Sequence, residues 1–271
     1  MNFLLLTALK AEANPLIKRF NLKKDLKTQL FINKNISLLI TSVGKDKTKA
    51  RLKSIIDLKK KWEDTIFINV GIAGGEKNKT KIGSIYFVNK IVDEENGNTF
   101  FPDILIKHNL EEISLTTVLN SVTSNSNKYT GLVDMEASMI FETISLYTTC
   151  HRLVFLKIVS DHMDILDWKS INVESLIQKQ IEDIAKIINS YNNQNLSNRI
   201  ILDKVEISLL AKYSEKLKLS KTQSIELILL SENFKKNNGL ITGLDFYFKQ
   251  TPKSKQERNK VFDKIKKYLS S

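Results

Sequence analysis

Apolar residues along this chain follow two rhythms. Near-continuous apolar runs at 3–8, Ile36–Ser42, Thr65–Val70 and Leu153–Val159 are the length of strands and show no polar face, as expected for strands covered on both sides. Gly83–Ile91 and Leu115–Val122 are β-branched and alternating and predict two further strands. Between these lie stretches with helical spacing. Leu16, Ile17 and Phe20 follow Pro15 in a helix over Glu12–Phe20, with the proline in its first turn. Lys45–Lys61 is lysine-rich and helix-forming, and Glu136–Tyr147 carries Met139, Ile140, Ile144 and Leu146 on one face. Val173–Ile188 reads as one long amphipathic helix. Strand, helix, strand in this order is a βαβ unit, so the fold class is α/β, with a central mixed, mostly parallel sheet flanked by helices.

The pattern changes near residue 192. Tyr191-Asn-Asn-Gln-Asn-Leu-Ser197 reads as a linker between a main domain, 1–192, and a C-terminal extension, 197–271. In the extension, Ser220-Lys-Thr-Gln223 has capping-box spacing and Thr251-Pro252 a helix-start signal, which predicts about three helices and no strand. Charge follows the same division: residues 197–271 hold 16 Lys plus Arg against 8 Asp plus Glu, most of the net charge of +12. Lysines in Lys204–Lys221 and Lys249–Lys267 raise contact with nucleic acid as the lesser reading. The greater is a solvated lysine face, with Ile207, Leu209, Leu210, Ile225, Leu227 and Leu229 packing against the main domain or a twin subunit.

Composition narrows the chemistry by exclusion. A hydrophobic fraction of 42% and a charged fraction of 27% describe a globular protein. The single cysteine, Cys150, allows no internal disulfide and points to a reducing compartment, the cytoplasm. His108, His151 and His162 have no zinc-site spacing, so no metal and no cofactor are expected. The N-terminal apolar run has no basic segment before it and no run reaches 18 apolar residues, so no membrane partner is expected either. Only nine glycines are present, which makes the cluster Gly71, Gly74 and Gly75 conspicuous.

In parallel α/β sheets ligands bind beyond the carboxyl ends of strands. Glu12 and Asp161 fall there, and Glu136 opens a predicted helix. Such carboxylates suit a general acid, a general base and a hydroxyl-binding group, although carboxylates also simply cap helices.

The order of motifs is more specific. Ala8-Leu-Lys-Ala-Glu12-Ala-x-Pro-Leu16, Thr41-Ser-Val-Gly-Lys45, Asn69-Val-Gly-Ile-Ala-Gly-Gly75, Lys81-Ile-Gly-Ser84, Val133-Asp-Met-Glu-Ala137 and Val159-Ser-Asp161-His-Met-Asp164 together resemble the nucleoside phosphorylase superfamily. Within it they look like the branch of 5′-methylthioadenosine/S-adenosylhomocysteine nucleosidase and futalosine hydrolase. The resemblance spans residues 3–190 and does not reach 197–271.

The resemblance implies a purine nucleoside N-ribosyl hydrolase acting on a 5′-modified nucleoside such as methylthioadenosine, S-adenosylhomocysteine, 5′-deoxyadenosine or futalosine. It implies Glu12 as the group that activates water and Asp161, with Ser160, as the acid that protonates the purine at N7. Met135 and Glu136 would hold the ribose. Ala8, Gly71, Ile72, Ala73, Gly74 and Asn125 would line the substrate site, with water and the nucleoside as small-molecule partners and a homodimer as the assembly. Asp161 must be protonated and Glu12 ionised when they act, so their surroundings are expected to differ. The sequence departs from the family at Ile72, where Ser or Val is common, and at Lys157, where arginine is common. Phe100, Phe101 and Trp168 are candidate pocket aromatics. A phosphate-dependent phosphorylase, using Lys10 or Lys45, is the first alternative, and a non-catalytic nucleoside- or nucleic-acid-binding protein the second.

Overall fold

Alternate residues of the long apolar strands enter two different hydrophobic cores, which is why those strands are apolar throughout. The computed structural model of the chain describes residues 1–56, 62, 64–123, 128–164, 167, 170–193, 202–238, 245–248, 252 and 254–269. Contacts divide it into two units, Met1–Ser197 and Asn198–Ser271.

The first unit runs β1 (Asn2–Thr7), α1 (Lys10–Arg19), β2 (Lys23–Lys24), β3 (Phe31–Asn33), β4 (Ile36–Ile40), α2 (Lys45–Ile56) and β5 (Thr65–Gly75). It continues through β6 (Ile85–Asp93), β7 (Thr99–Phe100), β8 (Glu111–Thr117), β9 (Leu132–Asp134), α3 (Ala137–Ile144), β10 (Leu153–Asp161), α4 (Val173–Lys179) and α5 (Ile181–Asn193). All nine residues of β10 are buried. Leu153, Phe155 and Val159 face a core with Leu52 of α2 and Ile140 of α3, while Val154, Leu156 and Ile158 face one with Leu16 of α1 and Ile184 of α5.

The described sheet is mixed. β1 pairs in parallel with β4 and β5, and β5 with β10. β10–β6, β5–β9, β6–β7, β2–β3 and β3–β4 are antiparallel, while β6–β8 and β8–β9 are parallel. The pairings β5–β10–β6–β8–β9–β5 therefore close into a ring, and the parallel pairings hold the longest strands.

Several boundaries differ from the sequence reading for physical reasons. β5 does not end at Val70: it runs through the glycines to Gly75, and Gly74 and Gly75 pair with β9. α1 starts at Lys10, which leaves Pro15 inside the helix rather than in its first turn. β8 starts at Glu111, and Val118–Val122 lie beyond its end. The single helix over 173–188 is two, broken at Gln180, whose side chain donates to the Gly83 carbonyl at 2.6 Å. Tyr191, read as linker, is fully buried in α5; residues 194–197 of that stretch, and the end of the predicted helix at 57–61, lie outside the described residues.

In the second unit, α6 (Lys204–Lys216), α7 (Lys221–Asn238), α8 (Asp245–Phe248) and α9 (Lys255–Leu269) surround their own apolar cluster, with Leu210, Leu227, Phe248, Phe262 and Ile265 at its centre. The Ser220–Gln223 capping box forms: the Gln223 N–H donates to Ser220 Oγ at 3.3 Å and the Ser220 N–H to Gln223 Oε1 at 3.1 Å. α9 is capped by Ser254, two residues past Pro252. Among the described residues no helix is long and apolar enough to cross a membrane.

Candidate active site

The carboxyl ends of β1, β5 and β10 open onto a cavity of about 440 Å³ in the first unit. Glu12, Glu136 and Asp161 all line it, together with Ala8, Ile72, Ala73, Gly74, Met135 and Ser160. Asn125 lies outside the described residues.

Glu12 sits at the third position of α1 and reaches back over the helix start. Its Oε2 accepts from the N–H groups of Ala8 at 2.8 Å and Leu9 at 2.9 Å, and its Oε1 from the N–H of Ile72 at 2.9 Å. The Ile72 contact is made by backbone, so the departure of its side chain from the family pattern does not disturb it. Gly71 does not line the cavity but makes room for this carboxylate: a Cβ there would stand 3.0 Å from Glu12 Oε1. Burial pushes Glu12 above the ordinary carboxylate range, against the opposing pull of the three amides and Lys157.

Lys157 interrupts the apolar run Leu153–Val159 of β10. It is 2% exposed, and its Nζ lies 2.8 Å from Asp134 Oδ2. Burial alone would depress the ammonium, but the carboxylates of Asp134, Glu136 and Glu12 outweigh it and hold the group above the usual lysine value. Asp134 also accepts from the Ala137 N–H at 3.0 Å and from Thr117 Oγ1 at 2.8 Å. The helix start is thus capped by Asp134, and Glu136, which the capping alternative had invoked, makes no side-chain cap bond.

Glu136 instead accepts from the Gly44 N–H at 2.8 Å. Gly44 has φ of +94°, a conformation that L side chains rarely adopt, so the glycine of Thr41-Ser-Val-Gly-Lys45 is required where its amide meets the acid. Burial, and then the neighbouring Asp134, push the Glu136 carboxyl up to about 7, against Lys157 and the Gly44 amide. Asp161 is held differently. Ser160 Oγ donates to its Oδ2 at 2.5 Å and the Met163 N–H to its Oδ1 at 2.7 Å. Met163 has φ of +61°, strain stored directly beside the acid.

Other candidates stand elsewhere. Phe100 stacks on Phe141, ring centroids 4.9 Å apart, and belongs to the core; Phe101 is exposed, and neither lines the cavity. Trp168 lies outside the described residues. Lys10 is exposed, and Lys45 is buried with its Nζ 2.7 Å from Asp93 Oδ1, so neither offers a free cation to a phosphate in the cavity. The sequence reading marked Lys157 as a departure that alters hydrogen bonding near Glu136, but missed its ion pair with Asp134. It also missed the apolar wall of Leu9, Val43, Val118, Val122, Met163 and Val173.

The first unit shares its fold with solved structures of 5′-methylthioadenosine/S-adenosylhomocysteine nucleosidases. It is similar to the apo form of Arabidopsis thaliana 5′-methylthioadenosine nucleosidase, with a TM-score of 0.61 and 21% identity over 73% of this chain and 98% of that one. It is similar also to MTAN from Chlamydia trachomatis bound to MTA (TM-score 0.59, 19% identity, 70% of this chain and 99% of that one). A third is the Helicobacter pylori 5′-methylthioadenosine/S-adenosylhomocysteine nucleosidase with butyl-thio-DADMe-Immucillin-A (0.57, 15%, 70% and 98%). No protein-family model matches the sequence, and no curated protein matches it.

Proposed function

We propose that residues 1–192 form a nucleosidase domain that hydrolyses the N-glycosidic bond of a 5′-modified purine nucleoside. The observation that carries this reading is the convergence of Glu12, Glu136 and Asp161 on one cavity whose described lining includes no lysine, arginine or histidine. An anionic nucleophile would be repelled there, whereas water would not.

The chemistry divides among the three acids. Asp161 acts as general acid at N7 so that the purine leaves as a neutral heterocycle. Glu12, ionised and oriented by three amides, takes a proton from water as the oxygen bonds to C1′; its raised affinity for protons makes it a stronger base. Glu136 accepts from the sugar hydroxyls and opposes the positive charge that develops at C1′ and the ring oxygen. Leu9, Val43, Ile72 and Val173 give the cavity an apolar side suited to an uncharged 5′ substituent such as methylthio. Assembly as a homodimer and residence in the cytoplasm accompany this reading.

Purified protein incubated with a nucleoside panel, with and without phosphate, tests it by released base. Free sugar in the absence of phosphate is the expected product. Sugar 1-phosphate, formed only when phosphate is present, would replace hydrolysis by phosphorolysis.

A further inference from the structure

Asp93, Glu94 and Glu95 stand in sequence at the end of β6, and none of them lines the cavity. Asp93 is 2% exposed. Its Oδ1 accepts from Lys45 Nζ at 2.7 Å, and its Oδ2 from Ser138 Oγ at 2.5 Å. Lys45 directly follows Gly44, the residue whose amide donates to Glu136, and Ser138 lies two residues after Glu136 itself. One buried carboxylate therefore grips the chain on both sides of the Gly44–Glu136 hydrogen bond.

We propose that Asp93 is a positioning residue: through Lys45 and Ser138 it fixes the Gly44 amide and the Glu136 carboxylate against each other, and so sets recognition of the sugar hydroxyls. The substrate half of this inference rests on the nucleosidase reading; the geometry does not. Glu95 and Glu94 extend the same anchoring. Glu95 Oε2 takes a second bond from Lys45 at 3.1 Å, and Glu94 Oε1 pairs with Lys128 and accepts from Tyr129 Oη at 2.9 Å. The start of α3 is tied from its other side as well, since the Ser138 N–H donates to Thr117 Oγ1 at 3.0 Å and Thr117 Oγ1 donates to Asp134. A buried carboxylate costs folding free energy that an apolar contact would not, so its retention here fits a specifying role.

Two measurements separate positioning from plain structural support. In the first, Asp93→Asn is made alone and in a Glu136→Gln background, and turnover is compared on methylthioadenosine and its 2′-deoxy analogue. The expected single-variant loss is about tenfold or more on the ribosyl substrate, falling below about twofold once Glu136 is already Gln, because both changes remove one interaction. An equal loss in both backgrounds overturns the proposal. In the second, Ser138→Ala releases α3 from Asp93 without changing any charge, and the Glu136 carboxyl is titrated by carbon-13 NMR. The groups that face Glu136, namely Asp134, Lys157, Glu12 and the Gly44 amide, are all retained, so a loosened Gly44 bond raises the midpoint from its place near 7. An unmoved midpoint overturns the proposal. The titration needs no turnover, so absence of nucleoside cleavage by the wild type would sink the nucleosidase reading, while the positioning role of Asp93 would still stand or fall by the midpoint.

Discussion

The two units use their polar residues in opposite ways. Among the described residues, every buried charged side chain belongs to the first unit: Glu12, Lys45, Asp93, Asp134, Glu136, Arg152, Lys157 and Asp161. The second unit is more basic overall, yet Ser231 is its single described buried polar residue, and none of its described charged side chains is buried. Burying ions weakens a fold unless each is paired, so the first unit carries a burden that packing alone does not explain. The second shows what this chain builds when packing is the whole task. Four of the eight, Glu12, Asp134, Glu136 and Asp161, line the cavity.

The sharpest way to break that contrast is to neutralise the acids. Asp161→Asn should retain nucleoside binding but lose turnover by about 10²-fold or more, because an amide cannot protonate the leaving purine. Steady-state release of base checks this, and a loss smaller than about tenfold would remove Asp161 from the acid role. Glu12→Gln should fall as far, with the three backbone donors now facing a group that takes no proton from water.

Glu136→Gln separates stability from recognition. The folded-state carboxyl titrates near 7, above its ordinary value, so the folded protein holds this proton more tightly than the unfolded chain does. The associated stability is complete at low pH and is lost as pH rises through about 7. Glutamine avoids that loss: urea unfolding at pH 8 should show the variant more stable than wild type by about 1–3 kcal/mol, with the difference vanishing below about pH 4. In activity the sign reverses, and the ribosyl substrate should suffer more than its 2′-deoxy analogue. Equal penalties on the two would contradict a contact from Glu136 to the hydroxyl.

Much of this is legible in the sequence alone. The strand cores at 3–8, 36–42, 65–70 and 153–159 are apolar because they are covered on both faces, and Glu12, Glu136 and Asp161 stand out because they follow strands or open a helix. What escapes such a reading depends on contacts distant in sequence. Gly71–Gly75 looks like a turn, since nothing local says that a Cβ at Gly75 would stand 2.2 Å from Thr80 Oγ1 in a continuous strand. The Lys157–Asp134 pair joins β10 to β9, and Asp93 reaches Lys45 and Ser138 across 48 and 45 positions. Pairings of that kind leave no periodic trace. Phe100, by contrast, is a fair candidate for the cavity by its sequence and is claimed by the core.

The smallest effect is expected from removing the second unit altogether. Its cluster draws only on residues 202–269 and takes in Leu210 and Leu227, whereas Ile207, Leu209, Ile225 and Leu229, expected to pack, are exposed; the clusters of the first unit draw only on residues 1–191. The eighteen described residues that line the cavity all come from positions 8–173. Truncation after Ser197 should accordingly leave kcat/KM within about threefold of the full chain, less than about 1 kcal/mol of transition-state free energy. Far-ultraviolet circular dichroism of the truncated protein guards against misfolding. If the extension were instead an arm for nucleic acid, the full chain would bind DNA or RNA with an affinity that falls steeply with salt, and the truncated chain would not. A loss of turnover beyond about tenfold in a folded truncation would break the comparison, because it would mean that the unit free of buried charge still supplies something the cavity needs.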